Sequence, residues 1–189
     1  MNAHAAKRSP AMDSRHGVLE YAAPLLRVQI TKRVGGGAVL NCVRADGTVT
    51  WQRQDGPHGV FFPYHDLTHF AVESVLGFRR AFYGLLADGW TIDETGGKGA
   101  RGRLPHETIL VEHIVGLFDS ERRSLDTMTA AEFNALQAGF LEEKRIDMTR
   151  TVTDADLIAV RTRMRELFRA WAETAEGGTL ELPFGVGAP

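Results

Sequence analysis

Cysteine is nearly absent from this chain of 189 residues, and that scarcity removes several chemistries at once. Cys42 is the single cysteine, so no internal disulfide can form. A cysteine-based zinc site is excluded as well, because one thiolate does not build one. The simplest compartment for such a chain is the reducing cytoplasm. Long apolar runs are missing too: none approaches the ~20 residues needed to cross a bilayer. Residues 1–17 carry Lys7, Arg8 and Arg15 but lack the apolar stretch of a secretory signal. They read as a disordered tail ahead of one domain spanning 18–189. There is no large excess of one charge, and a net charge of −2 gives no general electrostatic attraction to nucleic acid or acidic membranes. No G-x-S-x-G element occurs, and Gly96-Gly97-Lys98-Gly99 lacks the spacing of a phosphate loop.

What remains is an ordinary globular composition, 43% apolar and 24% charged, long enough for one good core. Leu26 to Lys32 alternates apolar and polar residues, the pattern of a half-buried strand. Gly35-Gly36-Gly37 supplies a turn, Ala38 to Arg44 a second strand, and Thr48 to Gln52 a third across an Asp46-Gly47 hairpin. From residue 64 the period changes to about 3.6, which predicts two helices over 64–88 broken near Gly77. Residues 91–105, glycine-rich and basic, read as a loop. It can act as a lid, offering Lys98, Arg101 or Arg103 to an anionic substrate. A helix is expected at 106–118. Thr129 to Glu132 is a capping box opening a helix that buries Phe133, Leu136 and Phe140.

Thr153 or Asp154 caps the longest helix, with Leu157, Val160, Met164, Phe168, Trp171 and Ala175 inward and Gly177-Gly178 ending it. Arg161, Arg165 and Arg169 form a solvated stripe on it. Thr179 to Leu182 can return as a strand. The fold class is therefore α+β: a small N-terminal antiparallel meander packed against an α-helical remainder.

The chemistry concentrates in His65-Asp66-Leu67-Thr68-His69-Phe70-Ala71-Val72-Glu73. With His65 at the origin of a helical wheel, His69 falls at about 40°, Glu73 at about 80° and Asp66 at about 100°. The arc carries no Lys or Arg, while Leu67, Phe70, Ala71 and Val75 occupy the other side. His65 and His69 are one turn apart, about 6 Å along the axis, so both rings can converge on one ion. Glu73 lies about 12 Å from His65 along the axis. It is either a ligand at full stretch or the acceptor that orients His69. A further ligand is expected from the 106–118 helix, in the order His113, Glu112, His106.

The motif H-D-x-x-H resembles the zincin signature H-E-x-x-H, with Asp66 in place of the glutamate. Aspartate is one methylene shorter and reaches less far toward a water on the metal. The motif is also similar to the metal motif of a ubiquinone-biosynthesis family, whose further glutamate would fall where this chain has Ala81. Both resemblances cover residues 65–69 and imply a metal-binding helix; neither family's activity is carried over.

These residues suggest a small metal-dependent enzyme, hydrolase-like or a lyase, acting on a small molecule. Zinc is the expected ion, and Asp66 or Glu73 would move the proton. The rival is a non-catalytic domain whose polar helix face is structural or binds a partner.

Overall fold

The alternation in Leu26–Lys32 turns Leu26, Val28 and Ile30 to one side, and all three are buried. In the computed structural model, which describes residues 25–56, 58–99, 101–124 and 126–185, this strand, β1, lies inside an antiparallel sheet. β2 (Ala38–Arg44) and β3 (Val49–Gln54) follow it as a meander, and β4 (Thr179–Phe184) returns to the other side of β1. The strand order is β3-β2-β1-β4. The α+β class read from the sequence is thus the observed one, return strand included. The expected tail at 1–17 lies outside the described residues.

The helices are α1 (His58–Leu76), α2 (Phe82–Ala87), α3 (Ile92–Thr95), α4 (His106–Ser124), α5 (Ala130–Lys144) and α6 (Asp154–Glu173). None of them is long and apolar enough to cross a membrane. One apolar cluster joins the inner face of the sheet to α1, α4 and α6. α1 packs against both α6 and α4, which makes it the central helix.

Several local expectations are corrected. α1 starts at His58, not near residue 64, so Pro63 sits inside the helix beyond its first turn. A proline there has no amide to donate back to the carbonyl of residue 59, so that helical hydrogen bond is missing. The 91–105 segment is not loop throughout. Thr91 and Glu94 form a reciprocal capping box that starts α3. On α5 the inward row is Phe133, Gln137 and Leu141; Leu136 is 51% exposed and Phe140 only half-buried. α6 buries Leu157, Val160, Met164, Leu167 and Trp171, while Phe168 sits at the edge and Ala175 lies past the helix end. Gly177 and Gly178 do not cap α6. They exchange backbone hydrogen bonds with Lys32 (2.7 and 2.9 Å), and so lead into β4. Arg161 is not a solvated stripe member either: it pairs with the buried Glu121 at 2.5 Å and donates to the Met128 carbonyl.

Two features of the fold aim the site. The inner face of β3 carries Thr50, Gln52 and Gln54, because the register sets Thr50 against Cys42 and Gln54 against Ala38. Val49 and Trp51 face outward, 52% and 63% exposed. A polar strand face is therefore turned toward α1. At the end of α1, Gly77 adopts φ 75° and the amide of Phe78 bonds the carbonyl of Glu73 at 3.0 Å, a Schellman closure. Phe78 is buried, and the chain reverses there so that α2 starts beside Glu73.

Candidate metal centre

Because α1 is covered on most sides, its polar arc is buried with it. Asp66 is 5% exposed, His69 2% and Glu73 1%. Burying charge is costly unless it is paired, and each of these groups has partners. Nδ1 of His69 lies 3.3 Å from Oε1 of Glu73, one turn on. The other carboxylate oxygen of Glu73 accepts from the amides of Tyr83 (2.9 Å) and Gly84 (3.2 Å), the first turn of α2. Ala81, at the N-cap of α2, makes no side-chain cap, so Glu73 serves in its place. Gly84 is required there, since a Cβ would meet the Arg79 carbonyl oxygen at 2.0 Å.

His65 is held in the same manner by a residue that sequence reasoning missed. Its Nδ1 lies 3.0 Å from Oδ2 of Asp119 on α4, whose other oxygen accepts from Arg122 at 3.3 Å. Each imidazole thus has Nδ1 turned to a carboxylate, which directs the hydrogen to Nδ1 and leaves Nε2 as the donor atom for an ion. The two rings are 4.8 Å apart at their centroids.

α4 is anchored beside them by Glu107, which accepts from the amide of Arg79 at 2.6 Å, and by Thr108, which donates to the Arg80 carbonyl at 2.7 Å. Farther along α4, Glu112 faces His69, with Oε1 3.5 Å from Nε2. Ligand atoms of His65, His69 and Glu112 lie within 4.8 Å of one another, so these three residues form a group that can hold a metal ion. The other residues proposed from the α4 segment are placed elsewhere. His113 stacks flat on Phe140 with centroids 4.0 Å apart, and His106 is exposed at the first position of α4. Glu73 stands behind His69, outside that group.

The electrostatics follow from burial and pairing. Burial pushes the Asp66 carboxyl up to about 6, against the opposing hydrogen bond from Gln54 Nε2 at 2.6 Å. Burial alone would lower His69, but its ion pairs with Glu112 and Glu73 outweigh that and raise it to about 10. Burial also raises Glu73, opposed by His69 and the two amides. Glu112 and Asp119 end below the ordinary carboxylate range: burial works to raise both, but the histidine each one faces prevails. Cys42, buried in β2, is pushed far up by burial, which makes it a core residue and not a nucleophile.

A cavity of about 150 Å³ opens over this group. Its polar lining is His65, Asp66, His69, Glu112 and Gln52; Phe62, Phe82 and Ile92 are its apolar lining, and Thr95 and Gly96 complete it. The segment read as a lid does reach the site, through α3 and Gly96. α3 is fixed to the sheet by the Ile92 amide, which donates to Thr50 Oγ1 at 3.2 Å. Arg101 does not enter the cavity. It donates to the Gly89 carbonyl at 2.9 Å, pairs with Glu94 and lies over Trp90.

Two residues that the sequence reading passed over had a signal. Asp119 follows Glu112 by two helical turns and therefore shares its face of α4. The inward side of Gln54 follows from counting across the Asp46-Gly47 hairpin from Cys42. The chain matches no protein-family model, no curated protein and no solved structure.

Proposed function

We propose that this protein is a small metal-dependent enzyme of the hydrolase type. A divalent ion, zinc in the first instance, would be held by Nε2 of His65, Nε2 of His69 and the carboxylate of Glu112. One observation carries the reading: both histidines have Nδ1 turned to a carboxylate of their own, Nε2 of His69 faces Glu112, and the three residues bring ligand atoms within 4.8 Å of one another. Histidine ligands of metal enzymes are oriented in this way. Three protein donors leave a coordination position for water or substrate, as in catalytic zinc sites.

Bound there, the ion would supply Lewis acidity to polarise a carbonyl and to acidify water. Asp66 is the residue for proton transfer. It lines the cavity, and its carboxyl at about 6 lies close enough to neutrality to accept and return a proton. Gln54 fixes its orientation. Glu73, with its oxygens bonded to His69 and to the start of α2, is assigned to positioning. Two histidines and a carboxylate also suit non-haem iron and lyase chemistry, so the identity of the ion bears on the reaction class.

A second reading rests on the same His69. Between Glu73 and Glu112 it can stand as a buried imidazolium, a structural clamp between α1, α2 and α4 that needs no ion. Elemental analysis separates the two. Protein purified without chelator should carry about one ion per chain, lost in His69→Ala; native protein free of metal would leave the structural clamp as the answer.

A further inference from the structure

We infer that the cavity over His65 and His69 accepts an uncharged carbonyl compound bearing an apolar group of about ring size, and discriminates against anions. This rests on the metal reading above and adds to it the class of substrate.

The charge argument comes from the walls. Among the described residues, none of those lining the cavity is Lys or Arg. Asp66 and Glu112 face it, while Glu73 and Asp119 stand behind the histidines. Against these four carboxyl groups a divalent ion supplies two positive charges, and Arg122, paired with Asp119, supplies a third. With both ligand imidazoles neutral and the four carboxyl groups ionised, the site carries no net positive charge. The cations nearest in sequence to the mouth do not alter this. Arg101 is spent on Gly89, Glu94 and Trp90, and Lys98 and Arg103 are exposed and take no part in the lining. The sequence had offered these three side chains to an anionic substrate; the structure points the other way.

The size argument comes from the apolar part of the lining. Phe62, Phe82 and Ile92 line the same cavity of about 150 Å³, with Phe62 beside His65 and Phe82 beside His69. A cavity of roughly that volume holds benzene. A polar head at the ion with a ring or short branched chain against the two phenylalanines fills such a space, and a carboxylate or phosphate on that apolar side would be desolvated without a partner.

Three hydroxamic acids test this on the cobalt(II)-loaded protein, read by the visible absorption of the ion. All three carry the same head, which loses its proton on binding the ion, so only the tail differs; benzohydroxamic acid adds an uncharged ring. Acetohydroxamic acid lacks the ring, and 4-carboxybenzohydroxamic acid adds one negative charge to it. Benzohydroxamic acid should bind at least about tenfold more tightly than acetohydroxamic acid, from the buried ring. It should also bind about tenfold more tightly than the carboxylated analogue, from repulsion and desolvation. Gln52→Lys, which puts a cation in the polar lining, should narrow the second gap. If cobalt binds and the carboxylated compound binds as well as its parent or better, the inference is overturned while the metal site survives. If ring and methyl compounds bind alike, the apolar half of it is overturned. If no cobalt spectrum develops, the metal reading fails and takes this one with it.

Discussion

A proton and a metal ion should compete for one atom, Nε2 of His69, and the structure sets the size of the contest. In the ion-free protein the ion pairs of His69 with Glu112 and Glu73 hold its pKa at about 10. At pH 7 that is 10 − 7, about 3 pH units of protonation to undo, and each unit is worth about 1.4 kcal/mol. Displacing the proton therefore costs about 4 kcal/mol at pH 7, roughly a thousandfold in apparent Kd. Zinc affinity, measured against a chromophoric chelator, should tighten by close to tenfold per pH unit between pH 7 and 9, with about one proton released per ion in calorimetry across buffers. Stability gives a second view with opposite signs. A folded-state pKa raised above the unfolded value of about 6.5 means that the His69 contribution is complete below about 6.5. It is lost as pH rises through about 10. Ion-free protein should accordingly melt at lower temperature as pH climbs from 7 to 10, while the stabilisation conferred by saturating zinc should grow over the same range. Affinity independent of pH from 7 to 9, with no proton release, would refute the placement of the ion on His69.

Other substitutions probe the supports. Asp119→Ala should weaken zinc affinity about 10–100-fold by freeing the His65 ring, measured by the same chelator competition; unchanged affinity would show that Asp119 does not orient His65. Glu73→Ala removes the partner of His69 and the cap of α2, and should lower ion-free stability in urea by about 3–5 kcal/mol. Glu73→Gln should recover part of that, because an amide oxygen still accepts from Tyr83 and Gly84; a loss below about 1 kcal/mol in Glu73→Ala would show that the carboxylate is not needed to hold α2.

Much of the scaffold was readable because its signals are local. The alternation at Leu26, Val28 and Ile30, the Asp46-Gly47 hairpin and the box at Thr129/Glu132 act within a few residues, and each stands in the structure; of the two caps offered for α6, Thr153 is the one used. The 91–105 segment was misjudged because its glycines outweighed the one capping box at Thr91 and Glu94 that starts α3. Leu136 was misplaced because α5 turns Gln137 inward to bond the Arg150 carbonyl, a partner distant along the chain.

The metal group divides along the same line. By itself the sequence determined that His65, Asp66, His69 and Glu73 share one side of one helix, because helical periodicity is a property of the backbone and needs no neighbour. Which further residue joins them was decided by tertiary structure alone. Glu112 and His113 are adjacent, so their side chains leave α4 about 100° apart. Only the packing of α4 on α1, fixed by Glu107 and Thr108 at the 79–80 turn and by Phe140 on the other side, sends the glutamate to His69 and the histidine away. The polar face of β3 belongs to that second class too. The hairpin sets the register, but only the arrival of α1 above it turns Gln54 from a buried polar side chain into the partner of Asp66.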